Sequence, residues 1–339
     1  MIIVLKPGIS KADERTVLAE IRKLGYQPHV MRGVARTVVG AIGDELTHSN
    51  LETLTAQFPK LVESVLPIQK RYKLVSREAH PANSTIRVRE HTLGGKTFHV
   101  MAGPCSVESE KQLLTTAKAV KAAGATMLRG GAFKPRTSPY EFQGLGEKGL
   151  KLLAKARKET GLAIITELLS ESHVELVAEY TDIIQIGARN AQNFQLLIAA
   201  AKTGKPVLLK RGLAMKIEEW LLAGEYVLAN ENPNLMFCER GIRTFETYTR
   251  NTLDLSTIPI IKRESHAPIV IDPSQGAGRA DLVAAMCKGA VAMGADALLI
   301  EVHPNPAEAW SDGAQQVTLE GFVNLMNELK PFIAAAGRE

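Results

Sequence analysis

Residues 97–132 read TFHVMAGPCSVESEKQLLTTAKAVKAAGATMLRGGA: an apolar run, an Ala-rich stretch and a second apolar run. The runs are strand-length, and the stretch between them repeats its apolar positions every three to four residues. The reading is a strand at Phe98–Ala102, a helix at Lys111–Ala123 and a strand at Thr126–Arg129. Two strands joined through a helix make one unit of a parallel sheet. Further apolar runs follow at Ala163–Glu167, Ile183–Gly187, Val207–Lys210, Leu235–Cys238, Ile269–Asp272 and Leu298–Val302, with helical or loop stretches such as Asp281–Met293 after them. Eight such units over residues 97–339 predict a (β/α)8 TIM barrel. A doubly wound open sheet is the alternative, but no strand opens into a GxGxxG turn.

Residues 1–70 have another rhythm. Strands are expected at Ile2–Lys6, Pro28–Met31, Arg36–Ile42 and Leu61–Leu66, and helices at Ser10–Leu24, capped by Ser10, and Asn50–Phe58. This β-α-β-β-α-β order predicts a small α+β, ferredoxin-like domain before the barrel. Residues 71–96 read as a connector and β-hairpin. Pro67–Ser84 is basic and proline-containing, and the hairpin is expected to pair Thr85–Leu93 with Lys96–Met101 about Gly94-Gly95.

The 339 residues carry three scattered cysteines and a net charge of +5 without a basic block. An odd, scattered cysteine set argues against a disulfide framework and for the cytoplasm. Scarce aromatics and dispersed charge argue against nucleic-acid binding. No apolar run approaches the roughly 20 residues that span a bilayer, so no membrane association is expected. The opening MIIVLKPGISKADER has its charges after the apolar run, which is not the order of a signal peptide.

The predicted strands end in polar clusters: GPCS, RGG, TE, GAR, KRG, CERG, DPS and EVHP. In a barrel these ends meet on one face. Arg129, Lys134, Arg136, Arg189, Lys210, Arg240 and Arg243 all fall at or just beyond them. Any one of these is ordinarily a solvated surface charge. A convergent ring calls for a ligand with several negative groups, such as phosphates and a carboxylate. Cys105, Glu301, His303 and Asp312 form a mixed donor set suited to Mn2+, Fe2+ or Zn2+. Taken singly, Cys105 also reads as a small buried hydrophobe and Asp312 as a turn residue.

The segments AGPCSVES (102–109), LRGGAFKPRTSPYEFQGLGEKGL (128–150), IIQIGARNAQNFQLL (183–197), PVLLKRG (206–212), CERGIRTFE (238–246), IDPS (271–274) and IEVHPNPAEAWSDG (300–313) resemble those of the 3-deoxy-D-arabino-heptulosonate 7-phosphate (DAHP) synthases. The similar subtype is the compact type I beta form with an N-terminal ferredoxin-like regulatory domain. The resemblance implies a transferase that condenses phosphoenolpyruvate with erythrose 4-phosphate and water, the first step of the shikimate pathway. It implies Arg129, Lys134, Glu167, the Ala188 backbone, Arg189, Lys210 and Arg240 around phosphoenolpyruvate, and Arg136 and Thr137 on the aldose phosphate. Lys134 is the implied proton donor. Cys105, Glu301 and Asp312 fall on three catalytic metal positions, for Mn2+ first and Fe2+, Zn2+ or Co2+ otherwise.

The fourth metal position, histidine in the family's DPSH pattern, is Gln275 here. Three readings stay open: ligation directly or through water, a weakened but usable site, or lost catalysis. A homotetramer and inhibition by an aromatic amino acid are further implications. The alternatives are the same chemistry on another aldose phosphate, as in octulosonate-phosphate synthases, and a non-catalytic regulatory homologue.

Overall fold

The computed structural model describes residues 1–33, 36–43, 49–66, 71–136 and 138–339. It divides into two units, Met1–Asn83 with Arg263–His266, and Ser84–Lys262 with Ala267–Glu339.

The first unit runs β1 (Ile2–Leu5), α1 (Lys11–Lys23), β2 (Gln27–Arg32), β3 (Thr37–Ile42), α2 (Ser49–Glu52), α3 (Leu54–Gln57) and β4 (Val62–Leu66). Its sheet has the order β2-β3-β1-β4 with every neighbouring pair antiparallel. Ser10 starts α1 by accepting the Asp13 N–H at 3.1 Å. The apolar stripe Val17, Leu18 and Ile21 then packs on Ile3, Leu5, Val39 and Ala41, the alternate residues of the central strands. The single helix expected at Asn50–Phe58 is two short ones. The Thr53 hydroxyl donates to the Asn50 carbonyl at 2.6 Å between them, an alternative to continued helical bonding.

The second unit opens with a hairpin, β5 (Ile86–Val88) and β6 (His91–Leu93), paired Ile86↔Leu93 to Val88↔His91. Its strands are β7 (His99–Gly103), β8 (Met127–Arg129), β9 (Ala163–Leu168), β10 (Ile183–Ile186), β11 (Val207–Lys210), β12 (Leu235–Glu239), β13 (Ile269–Ile271) and β14 (Ala297–Glu301). Each pairs in parallel with the next, and β14 returns to β7, so the barrel is closed. The principal helices are α4 (Glu110–Ala122), α5 (Glu147–Thr160), α6 (Val174–Tyr180), α7 (Phe194–Lys202), α8 (Ile217–Ala229), α9 (Thr257–Glu264), α10 (Pro273–Ala277), α11 (Ala280–Ala292) and α12 (Leu319–Ala335). Met101, Met127, Ile165, Leu208, Met236, Val270 and Leu299 fill the interior with Ile86, Val88 and Leu93 of the hairpin.

The hairpin therefore turns at Arg89-Glu90, not at Gly94-Gly95, and Lys96–Phe98 leads into the barrel. Gly94 serves a close approach instead. A side chain there would fall 2.4 Å from the Ser84 carbonyl oxygen, in a conformation with φ +79°. Among the described residues no helix is long and apolar enough to cross a membrane.

In the first unit, burial pushes the His266 imidazole down to about 4, against the Leu74 carbonyl 2.9 Å from its Nε2. Its unfolded value is about 6.5, so the unfolded chain gains the proton first as pH falls. Stability should therefore drop by up to about 3 kcal/mol between pH 6.5 and 4. Denaturation midpoints across that window should show the loss, and His266→Gln should flatten it. An equally steep profile in the variant would contradict this origin.

Candidate active site

The carboxyl ends of the barrel strands place Arg129, Lys210 and Glu301 as the last residues of β8, β11 and β14. Parallel register carries all three to the same end of the barrel. Arg211, one residue on from Lys210, points away and binds Glu239 at 2.9 Å and Asp254 at 3.0 Å.

Cys105, Glu301 and Asp312 bring one thiol and two carboxylate donor atoms within 4.8 Å of one another, an arrangement that could hold a metal ion. Glu301 Oε1 accepts from Arg129 at 2.7 Å, and its Oε2 from Gln315 at 2.7 Å. Lys134 Nζ lies 3.0 Å from the Cys105 sulfur. Burial pushes the Cys105 thiol up to about 11, with the Glu301 and Asp312 carboxylates adding to it and Lys134 opposing. Burial would raise the Asp312 carboxyl too, but Arg250 and Lys134 outweigh it and hold the group down to about 2. Asp312 also adopts the left-handed conformation, φ +48°, a local strain that occurs where a side chain must be aimed. Gln275 donates from Nε2 to Glu301 at 3.1 Å and to Asp312 at 3.3 Å, and its Oε1 accepts from Arg240 at 2.9 Å. The amide thus turns nitrogen, not oxygen, toward the donors.

Beside this cluster opens a cavity of about 290 Å³. Seven cationic side chains line it, Arg129, Lys134, Arg136, Arg189, Lys210, Arg240 and Arg250, against the carboxylates of Glu141, Glu167 and Asp312. Four of the cations have carboxylate partners. Arg129 pairs with Glu301, Lys210 with Asp272 at 2.5 Å, Arg136 with Glu141 at 2.5 Å and Arg250 with Asp312 at 3.1 Å. Burial lowers the pKa of Arg240, and Arg250 pushes the same way, so an incoming anion would relieve real electrostatic tension. The buried Nε of Arg129 has no hydrogen-bond partner, a donor that a ligand oxygen would satisfy. Gly187 admits Glu167 to the wall, because a side chain there would sit 1.9 Å from its Oε1.

Of the residues singled out in the sequence, Ala188 lines the cavity with these groups. Thr137 lies outside the described residues. Arg243 is exposed and absent from the lining. His303 is not in the donor cluster: β14 ends at Glu301, strand alternation stops there, and the imidazole pairs with Glu108 at 3.1 Å. Arg250 was missed. It reaches Asp312 at 3.1 Å and Gln315 at 3.0 Å from an irregular loop where no periodicity marks it. Asp272 carried one signal, its place in the DPS cluster.

Fold and site together define a barrel enzyme for multiply anionic substrates. Comparison with known proteins narrows this. The model of the DAHP synthetase I family matches residues 82–335, and that of the DAHP synthase ferredoxin-like domain matches residues 1–70. The chain belongs to the DAHP synthetase I family. It is 49% identical over 339 residues to the phospho-2-dehydro-3-deoxyheptonate aldolase of Thermotoga maritima, covering 99% of each chain. A crystal structure of that Thermotoga maritima enzyme, at 48% identity, superposes with a TM-score of 0.79 and covers 100% of this chain and 98% of the other. The 2-dehydro-3-deoxyphosphooctonate aldolase of Caulobacter vibrioides is 33% identical over 74% of this chain and 91% of its own.

The Arg129–Glu301 pair is buried enough that losing either partner should cost about 3–5 kcal/mol. Arg129→Met and Glu301→Gln should each lower the unfolding free energy by that order. The double variant should lose clearly less than the sum, and simple additivity would show that the two charges do not depend on each other.

Proposed function

We propose that this chain condenses phosphoenolpyruvate with erythrose 4-phosphate and water to give DAHP and inorganic phosphate, the opening step of the shikimate pathway. The observation that carries the reading is a cationic cavity adjoining a Cys–Glu–Asp donor cluster, in a chain of this family. Arg129, Arg189, Lys210 and Arg240 hold the phosphate and carboxylate of phosphoenolpyruvate, with Glu167 and the Ala188 backbone beside them. Arg136 and Thr137 take the aldose phosphate. Cys105, Glu301 and Asp312 hold a divalent metal, Mn2+ by preference, whose contribution when bound is Lewis-acid polarisation of a carbonyl.

The chain's own groups do the rest. Gathering two anions that repel each other in water is an orientation effect of several kcal/mol. Burial disfavours the Lys134 ammonium, but Cys105 and Glu301 raise its pKa, so it enters the reaction protonated. C3 of phosphoenolpyruvate bonds to the aldehyde carbon, whose oxygen takes a proton from Lys134. Water adds to C2 and loses a proton, and the bond from C2 to the phosphate oxygen then breaks, leaving the keto acid and phosphate.

With Mn2+ and erythrose 4-phosphate present, phosphoenolpyruvate should disappear as phosphate appears, and chelation should abolish this. Lys134→Met should lower kcat by about 10²–10⁴-fold. Preference for arabinose 5-phosphate would move the enzyme to the octulosonate class. No turnover with either aldose would leave a binding module.

The unit at residues 1–70 is the inhibitory receptor for an aromatic amino acid, a reading supported by its ferredoxin-like match. The working assembly is a homotetramer, and the three free cysteines suit a reducing compartment. Tyrosine should inhibit the full chain and not a chain lacking residues 1–70. An identical response in both would overturn the regulatory assignment.

A further inference from the structure

Gln275 is held at five points. Its backbone N–H donates to Asp272 at 2.9 Å, and its backbone carbonyl accepts from Asn251 at 2.9 Å. Its side-chain oxygen faces Arg240, and its nitrogen faces Glu301 and Asp312. The orientation of this amide follows from its neighbours. A guanidinium can only donate and a carboxylate can only accept. Reversing the amide would set N–H groups against N–H groups at one end and oxygens against oxygens at the other. Ligation of a metal by the side-chain oxygen, next to Glu301 and Asp312, requires that reversal.

We propose that Gln275 is a positioning residue and not a metal ligand: a neutral strut that orients two of the three donors with its nitrogen and fixes Arg240 in the anion cavity with its oxygen. The proposal rests on the functional reading above. It makes Cys105, Glu301 and Asp312 the complete set of protein donors. It also makes the placement of Arg240 independent of metal occupancy, because the bond from Gln275 to Arg240 is already formed. The two halves of the site are thus joined through one side chain. Losing it should disturb anion binding even where no metal is present, which loss of a mere ligand would not do.

Two variants read this out in the full-length protein. Gln275→Leu removes the amide and cannot ligate, and Gln275→Asn keeps an amide one methylene too short to span both ends. The first measurement is calorimetric binding of phosphoenolpyruvate to chelator-stripped protein. Both variants should bind about ten-fold or more weakly than wild type, the loss expected when a hydrogen bond to a charged group goes. The second is the absorption spectrum of the Co2+-loaded protein. The thiolate charge-transfer and d–d bands should keep their positions in both variants, because the ligand set is unchanged. Weaker Co2+ affinity, by about 10–100-fold, is expected from loss of support to Glu301 and Asp312. Unchanged phosphoenolpyruvate affinity without metal, or displaced d–d bands, overturns the proposal. If wild type itself fails to bind phosphoenolpyruvate, the functional reading falls, and the cobalt spectra still decide whether Gln275 is a ligand.

Discussion

Two buried ion pairs, Arg129–Glu301 and Lys210–Asp272, govern what the carboxyl end of this barrel can be. An isolated charge in a packed interior costs several kcal/mol, so a buried arginine or lysine persists only with a partner. Here the partners arrive on other strands: β8 supplies the arginine and β14 its carboxylate, while β11 supplies the lysine and Asp272 follows β13. Closure of the sheet brings β14 back to β7 and within reach of β8. An open sheet would leave these residues on separate edges. The charges thus depend on the barrel, and they also determine where its polar end lies.

Pairing does not go to completion. Seven cations face three carboxylates in the cavity wall, and Glu301 and Asp272 neutralise only two of that surplus. Glu301 is also one of the three residues whose donor atoms could hold a metal ion, so the same carboxylate adjoins both the cation pocket and that candidate position. A charge bound in either half would therefore alter the field felt in the other. The strained backbone of Asp312 and the polar shell of Gln275, Gln315 and Arg250 are the structural cost of holding carboxylates close together with so little solvent.

Much of the barrel was legible because its parallel strands are buried on both faces and so read as continuous apolar runs, each closed by a polar cluster. The failures have separate physical origins. A Gly-Gly pair signals a turn, yet glycine is equally demanded where two backbones crowd, and at Gly94 crowding by Ser84 is the reason. His303 stands two residues beyond Glu301, a spacing that shares a strand face only while the strand continues, and β14 stops at Glu301. Arg250 is brought to the site by a loop whose path no local pattern encodes. Gln275 was visible as a residue type, but its amide orientation depends on partners drawn from three distant parts of the chain.

That orientation also explains why an amide suits this position. Glutamine carries an acceptor and two donors at one planar terminus, so a single side chain can face a guanidinium and two carboxylates together. A neutral imidazole has one donor and one acceptor, enough for Arg240 and one carboxylate but not both. A protonated imidazole has no acceptor left for Arg240. A glutamate would bring a third negative charge against Glu301 and Asp312. The charges around residue 275 are thus met by a neutral group with more donors than acceptors facing the carboxylates.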